Sequence, residues 1–314
     1  MSTISALDGI APLPHWGVIR AQGADAATFL HGQLTSDFAK LDTRHARLAG
    51  YCSAKGRLLA SFIGWSTGPE EVLLACQAEL LAPTLKRLSM FVMRAKCKLS
   101  DASAEVRLAG LAGPSALAWL GAAAPASTWE RTDHQGAQVT RLPNADGQPR
   151  FLWAAEAASG ATAPDLPALS LDRWRLADVQ SALPAIEAAT VDQFVPQMLN
   201  FELLGGVDFK KGCYPGQEVV ARSQYRGTTK RRSFIFETPG SARSGEEIFH
   251  SEDPGQPAGM VVNAAPLSGQ PGSGVLAEVK LAALLSGSLH LGSATGPLLA
   301  PRPMPYEIDR DVTA

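Results

Sequence analysis

The sequence predicts an α+β fold with a small all-β unit at its C-terminal end. Three observations carry that prediction. Short alternating or apolar runs recur through the first third of the chain, and two stretches between them change to helical spacing. From Ser233 onward only short apolar runs and turn signals remain. The 314 residues, 46% of them hydrophobic, suffice for more than one core, because single cores tend to divide beyond roughly 250–300 residues.

In the first zone, residues 14–111, strands are expected at 17–20, 57–65 and 71–76. A helix is expected at 25–34, with Ala26, Phe29, Leu30 and Leu34 on one face and Asp25 as N-cap. A second, at 78–93, carries Leu80, Leu81, Leu85, Leu88 and Val92 at helical spacing. These apolar faces are read as packing faces. The second zone, 112–170, is broken by Ala/Pro/Gly-rich surface loops at 121–127 and 154–168, between strands at 137–142 and 151–154. The third, 171–232, mixes charged, aromatic and glycine residues densely. In the fourth, runs at 234–236, 259–262, 275–279 and 288–291 predict a small β-barrel. The chain thus divides into residues 1–232 and 233–314, with no internal repeat.

A formal net charge of −2 gives no reason to expect a dedicated nucleic-acid binder, and direct DNA binding is not expected. Cys52, Cys76, Cys97 and Cys213 form no C-x-x-C pair, which argues against a zinc ribbon or a disulfide scaffold and for free thiols in a reducing compartment. Residues 1–9 lack a basic segment followed by an apolar run, and no stretch approaches ~18 consecutive apolar residues. A cytoplasmic protein without membrane contact is expected.

The densest chemistry lies at Lys210-Lys211-Gly212-Cys213-Tyr214-Pro215-Gly216-Gln217-Glu218. Pro215 and Gly216 suit the central positions of a type II turn, and residues 217–222 suit the start of a helix. Cys213 is then placed near a helix N-terminus beside two lysines, a setting that favours the thiolate. The alternative is a buried cysteine in a tight turn with its lysines in water. The histidines nearest in sequence, His134 and His250, are remote, so nothing local supplies a base for a Cys–His nucleophile. Residues 222–232 contain no acid. Arg222 is read toward an anion such as a carboxylate tail or phosphate, and Lys230 to Arg232 either toward the same role or as a solvated connector.

Two earlier segments match in character. His31-Gly32-Gln33-Leu34-Thr35-Ser36-Asp37 ends the first helix, its polar groups either capping backbone or touching a ligand. Tyr51-Cys52-Ser53-Ala54-Lys55-Gly56-Arg57 reads as a hairpin turn, with Lys55 and Arg57 either surface charges or cofactor contacts.

With these segments the sequence resembles the YgfZ family, relatives of the glycine-cleavage T-proteins and of a mitochondrial iron–sulfur assembly factor. The family's K-G-C-[YF]-x-G-Q-E box is met in full by Lys211 to Glu218. It is flanked by Val195-Pro196-Gln197-Met198-Leu199-Asn200 on one side and by Val219-Val220-Ala221-Arg222 with Tyr225-Arg226-Gly227 on the other. Phe29 to Asp37 resembles the F-L-x-G-Q-x-T-x-D stretch, and Lys55-Gly56-Arg57 the K-G-R turn.

The resemblance implies a T-protein-like fold: folate-binding lobes around a central cavity, followed by a C-terminal β-barrel. It implies tetrahydrofolate or a folate derivative as cofactor, and iron–sulfur client enzymes or assembly proteins as partners, radical tRNA-modifying enzymes among them. Cys213 becomes the functional thiol and Lys211 its basic neighbour, while Gln33, Thr35, Asp37, Lys55, Arg57, Tyr214, Gln217, Glu218 and Arg222 are expected to hold folate or orient the thiol. No stable metal site is expected, since one cysteine cannot supply the ~four ligands of a cluster. Two departures from the T-proteins stand out. Ala60 and Ser61 occupy the place of the catalytic aspartate, and Arg175-Leu176-Ala177-Asp178 stands for the R-L-E-A-G pterin contact. The alternative function, a tetrahydrofolate-dependent aminomethyl- or methyltransferase, thereby lacks its acid/base group.

Overall fold

The computed structural model describes residues 6–225 and 229–308; Arg226 and Gly227 of the flanking motif lie outside the described residues. Its elements, in chain order, are β1 (Gly9–Pro12), β2 (Trp16–Gln22), α1 (Ala26–His31), β3 (Ala46–Cys52), β4 (Leu58–Gly68), β5 (Glu71–Gln77), α2 (Ala78–Ser89), β6 (Lys98–Asp101), β7 (Val106–Ala112), α3 (Gly113–Leu120), β8 (Arg131–His134), β9 (Ala137–Ala145), β10 (Gln148–Glu156), α4 (Leu171–Gln180), α5 (Gln217–Tyr225), β11 (Arg231–Thr238), β12 (Glu247–His250), β13 (Asp253–Pro266), β14 (Ser273–Lys280), β15 (Leu289–Leu291) and β16 (Ala300–Pro301).

The strands form three sheets, ordered β3-β4-β5-β2-β6, β1-β7-β10-β9-β8 and β15-β12-β13-β14-β11-β16. All the strand pairings within them are antiparallel. The near-continuous apolar runs of β4 and β5 follow from burial on both faces. One side packs with Phe29, Leu30, Leu80 and Leu88 from α1 and α2, and Ile63, Trp65, Leu73 and Ala75 join a second core shared with Leu152 and Trp174. The third sheet closes through residues 297–301, where Leu291 N–H donates to Pro297 and β16 pairs with β11. Its interior holds Phe234, Phe236, Val261, Val275 and Val279, so the barrel is a packed core.

Four expectations need correction. Asp25 does not cap α1 with its side chain; its carboxylate accepts the Lys96 N–H at 2.7 Å and pins the distant segment before β6. The first helix stops at His31, because Thr35 N–H turns to the Gly50 carbonyl of β3 at 3.0 Å. The second stops at Ser89 and continues as hydrogen-bonded turns, with Met93 at φ +44°. A left-handed residue ends α-helical propagation. Residues 154–156 belong to β10 and pair with β7, so the loop begins later than its composition implies.

Candidate functional site

Tyr214 to Gln217 forms the expected type II turn: Gln217 N–H donates to the Tyr214 carbonyl at 3.2 Å, and Gly216 sits at φ +79°. A Cβ on Gly216 would lie 2.4 Å from the Ser53 carbonyl oxygen, so glycine is required there by contact as well as by conformation. That contact locks the turn onto the β3–β4 hairpin, itself closed by Gly56 N–H donating to Ser53 O at 2.9 Å with Gly56 at φ +71°. Helix α5 follows at once. It is anchored by the fully buried Gln197, whose amide donates to the Val220 carbonyl at 2.7 Å.

Lys211 is buried, at 8% exposure. Its ammonium donates to three carbonyls, of His31 (2.5 Å), Leu34 (3.0 Å) and Gly212 (3.2 Å), and lies 4.6 Å from the Tyr214 ring centre. The three donors of a lysine are thereby occupied. Burial lowers its pKa to about 8, against the pull of Asp37, Asp208 and Cys213. Lys211 therefore bolts the end of α1 to the box, while remaining within electrostatic range of Cys213. Tyr214 is buried as well, which raises its phenol above the ordinary range.

Cys213 is exposed, between the buried Lys211 and Tyr214. Cys52 and Cys76 are buried, each with its thiol pushed up to about 12 by desolvation. Four cysteines thus separate into two inert core residues, the half-buried Cys97, and one thiol displayed on a rigid turn.

The remaining sequence candidates fall into two groups. Thr35 is wholly buried, its hydroxyl donating to Gly206 O (2.5 Å) and accepting from Gly50 N–H (2.7 Å). Asp37 is buried against His31 Nδ1 (2.8 Å) and Lys40 Nζ (3.3 Å); despite its burial these partners hold its carboxyl below the usual range. The Arg57 guanidinium donates to the Gln193 and Asp192 carbonyls. Lys55, Glu218 and Arg222 are exposed around the turn, and Gln217 is half-buried. Gln33 differs: its Oε1 is buried and without a partner.

His31, remote from Cys213 in sequence, packs against the residue before it in the fold. A Cβ on Gly212 would lie 3.2 Å from His31 Nε2, so the imidazole edge abuts the residue preceding Cys213. With the Asp37 carboxylate on Nδ1, this ring is oriented as a histidine–carboxylate pair. His134 instead stacks edge-on against Trp119, and His250 bonds Ser286 O in the barrel.

None of the residues expected to hold folate or orient the thiol lines the cavity where the sheets meet, whereas Arg175 and Asp178, from the segment that stands for the R-L-E-A-G pterin contact, do. That cavity, of about 390 Å³, is walled by His15, Glu79, Arg175, Asp178, Glu187, Arg243 and Asn263 among others. His15 Nε2 accepts from Trp16 Nε1 at 2.9 Å, which leaves the proton on Nδ1, and Nδ1 is buried with no partner. Burial, helped by Arg175, lowers the His15 pKa to about 4, so the ring is neutral. Asp178 is held by the fully buried Arg150 at 2.7 Å; burial raises its pKa and Arg150 opposes the rise. Asp178 also reaches a recess of about 20 Å³ beside Ser61, whose hydroxyl accepts the Ile186 N–H at 2.9 Å. The polar Asn263 within the apolar run 260–265 was a legible sign of this wall; His15 and Arg243 carried none.

No family model matches the chain. It is 32% identical over 265 residues to the tRNA-modifying protein YgfZ of Edwardsiella ictaluri (strain 93-146), covering 77% of this chain and 73% of that one. It is 29% identical over 307 residues to the tRNA-modifying protein YgfZ of Sodalis glossinidius (strain morsitans), covering 94% and 92%. Among solved structures, the glycine cleavage system aminomethyltransferase T from Bartonella henselae superposes with a TM-score of 0.73 at 17% identity, over 96% of this chain and 87% of that one. That likeness establishes a T-protein-like fold.

Proposed function

The chain belongs to the YgfZ family, and from that premise we propose that it is a folate-binding factor supporting the assembly, maintenance or repair of iron–sulfur enzymes, including enzymes that modify tRNA. The observation that carries the reading is the placement of Cys213, exposed on a turn fixed by Lys211 and Gly216 while Cys52 and Cys76 are sealed in the core. The thiol on this reading is a transient contact for cluster or sulfur, or accepts a one-carbon unit. Residues 1–232 form the folate-binding region and 233–314 the barrel. The setting is the cytoplasm, which suits four unpaired cysteines; no helix among the described residues is long and apolar enough to cross a membrane.

The junction cavity is the proposed folate site. Its volume falls in the usual range for ligand pockets, ~300–1,000 Å³. Its walls fit the chemistry: a carboxylate at Asp178 for the N–H edge of a pterin, a donor at His15 Nδ1 without an internal partner, and guanidinium groups at Arg175 and Arg243 for the carboxylates of a folate tail. Tetrahydrofolate, when bound, supplies one-carbon chemistry. The protein's residues bind and orient it. Ser61 offers a hydroxyl where a T-protein-type transferase needs a carboxylate, which weighs against glycine cleavage.

A strain deleted for this gene tests the role of the thiol. Wild-type protein restores iron–sulfur enzyme activity, and Cys213→Ala, whose exposed site leaves the fold intact, does not. Full rescue by Cys213→Ala contradicts the reading.

A further inference from the structure

The end of α2 and the segment after it carry a surface that the thiol and the cavity do not use. Lys86, Arg87, Arg94, Lys96 and Lys98 fall within thirteen residues that contain no acid, in a chain whose net charge is −2. All five are exposed, and none is ion-paired among the described residues. Between them Met90, Phe91 and Met93 stand 63%, 44% and 86% exposed. This display is not a fraying end. Met90 and Phe91 N–H groups donate to Arg87 and Leu88 carbonyls, Ala95 N–H to Val92, and Lys96 N–H to the Asp25 carboxylate. Val92, between the exposed residues, packs inward on the core.

Solvated cations alone do not require three large apolar side chains left largely in water, each forgoing part of its burial. Clustered apolar exposure of this kind marks contact surfaces. We infer that this face docks an acidic partner protein, which covers Met90, Phe91 and Met93 with apolar side chains and sets carboxylates against Lys86 and Arg94. Two flexible thioethers adapt to a partner's contour, and the phenyl ring supplies an anchor. The cations steer and orient the encounter. RNA fits less well: one aromatic gives a single stacking platform, and thioethers offer nothing to phosphates or base edges.

The test titrates the full-length protein against a fluorescein-labelled amphipathic helical peptide, glutamates on one face and leucines on the other, read by anisotropy at low salt. The expected result is saturable binding, weakened about tenfold or more by Met90→Ser with Met93→Ser, and equally by Lys86→Gln with Arg94→Gln. Leu285→Ser, at an exposed site by the barrel, leaves the affinity unchanged. All these side chains are exposed, so the variants fold. The inference is overturned if the peptide does not saturate, if either double variant binds like wild type, or if a labelled RNA hairpin binds more tightly than the peptide.

Discussion

The Cys213 turn and the junction cavity are built in opposite ways. Around Cys213, Lys211, Thr35 and Asp37 engage partners from their own fold, and Cys213 is exposed together with Lys55, Glu218 and Arg222. In the cavity wall, His15, Arg175 and Asp178 line a volume of about 390 Å³; Asp178 is held by Arg150, whereas His15 Nδ1–H is buried with no internal partner. A polar side chain satisfied internally is scaffold; one that is buried and unsatisfied is prepared for a ligand. By that measure most of the box motif is scaffold for one sulfur atom. The Gln33 amide oxygen is the exception on that side.

Replacing Lys211 puts the scaffold reading under the greatest load. Lys211→Met leaves three carbonyls, the buried one of Leu34 among them, without their donor and is expected to cost ~3 kcal/mol in urea unfolding. The pH dependence sharpens this. The folded-state pKa is about 8 against an ordinary 10.5. Between those values the unfolded chain binds the extra proton, so the wild type gains stability relative to Lys211→Met as pH rises from 8 to 10.5. A flat difference would mean the ammonium is not desolvated.

Gly216→Ala comes next. A positive φ and a 2.4 Å approach to Ser53 O predict a loss of ~2 kcal/mol, with slower alkylation of Cys213 as the turn shifts. In the cavity, His15→Asn removes a ring held neutral. Its folded pKa of about 4 lies below the usual 6.5, so wild-type stability falls as pH drops through that window, and the Asn variant lacks that component. The smallest effect belongs to Gly212→Ala. Its 3.2 Å contact is with the edge of the His31 ring, which can yield, so the expected cost is under ~1 kcal/mol.

Local chemistry was legible in the sequence. The Pro215-Gly216 turn, the hairpin at Gly56 and the runs of β4, β5 and β14 each depend on neighbours in the chain, and each stands where the pattern placed it. The resemblance also placed the T-protein-like fold correctly. What failed depended on distant partners. Asp25 looks like an N-cap until Lys96 arrives, and His31 looks like a helix end until Gly212 packs against it. Of the cavity wall, the α4 segment with Arg175 and Asp178 was matched by resemblance, while the rest comes from the residue before β2, the start of α2 and the barrel, which share no local pattern.

Calorimetry with tetrahydrofolate on two variants tests most directly whether thiol and cavity are separate devices. Cys213→Ser is predicted to bind like wild type, and Asp178→Ala about tenfold or more weakly. Unchanged binding by Asp178→Ala together with its loss in Cys213→Ser would place the ligand at the turn and contradict the account.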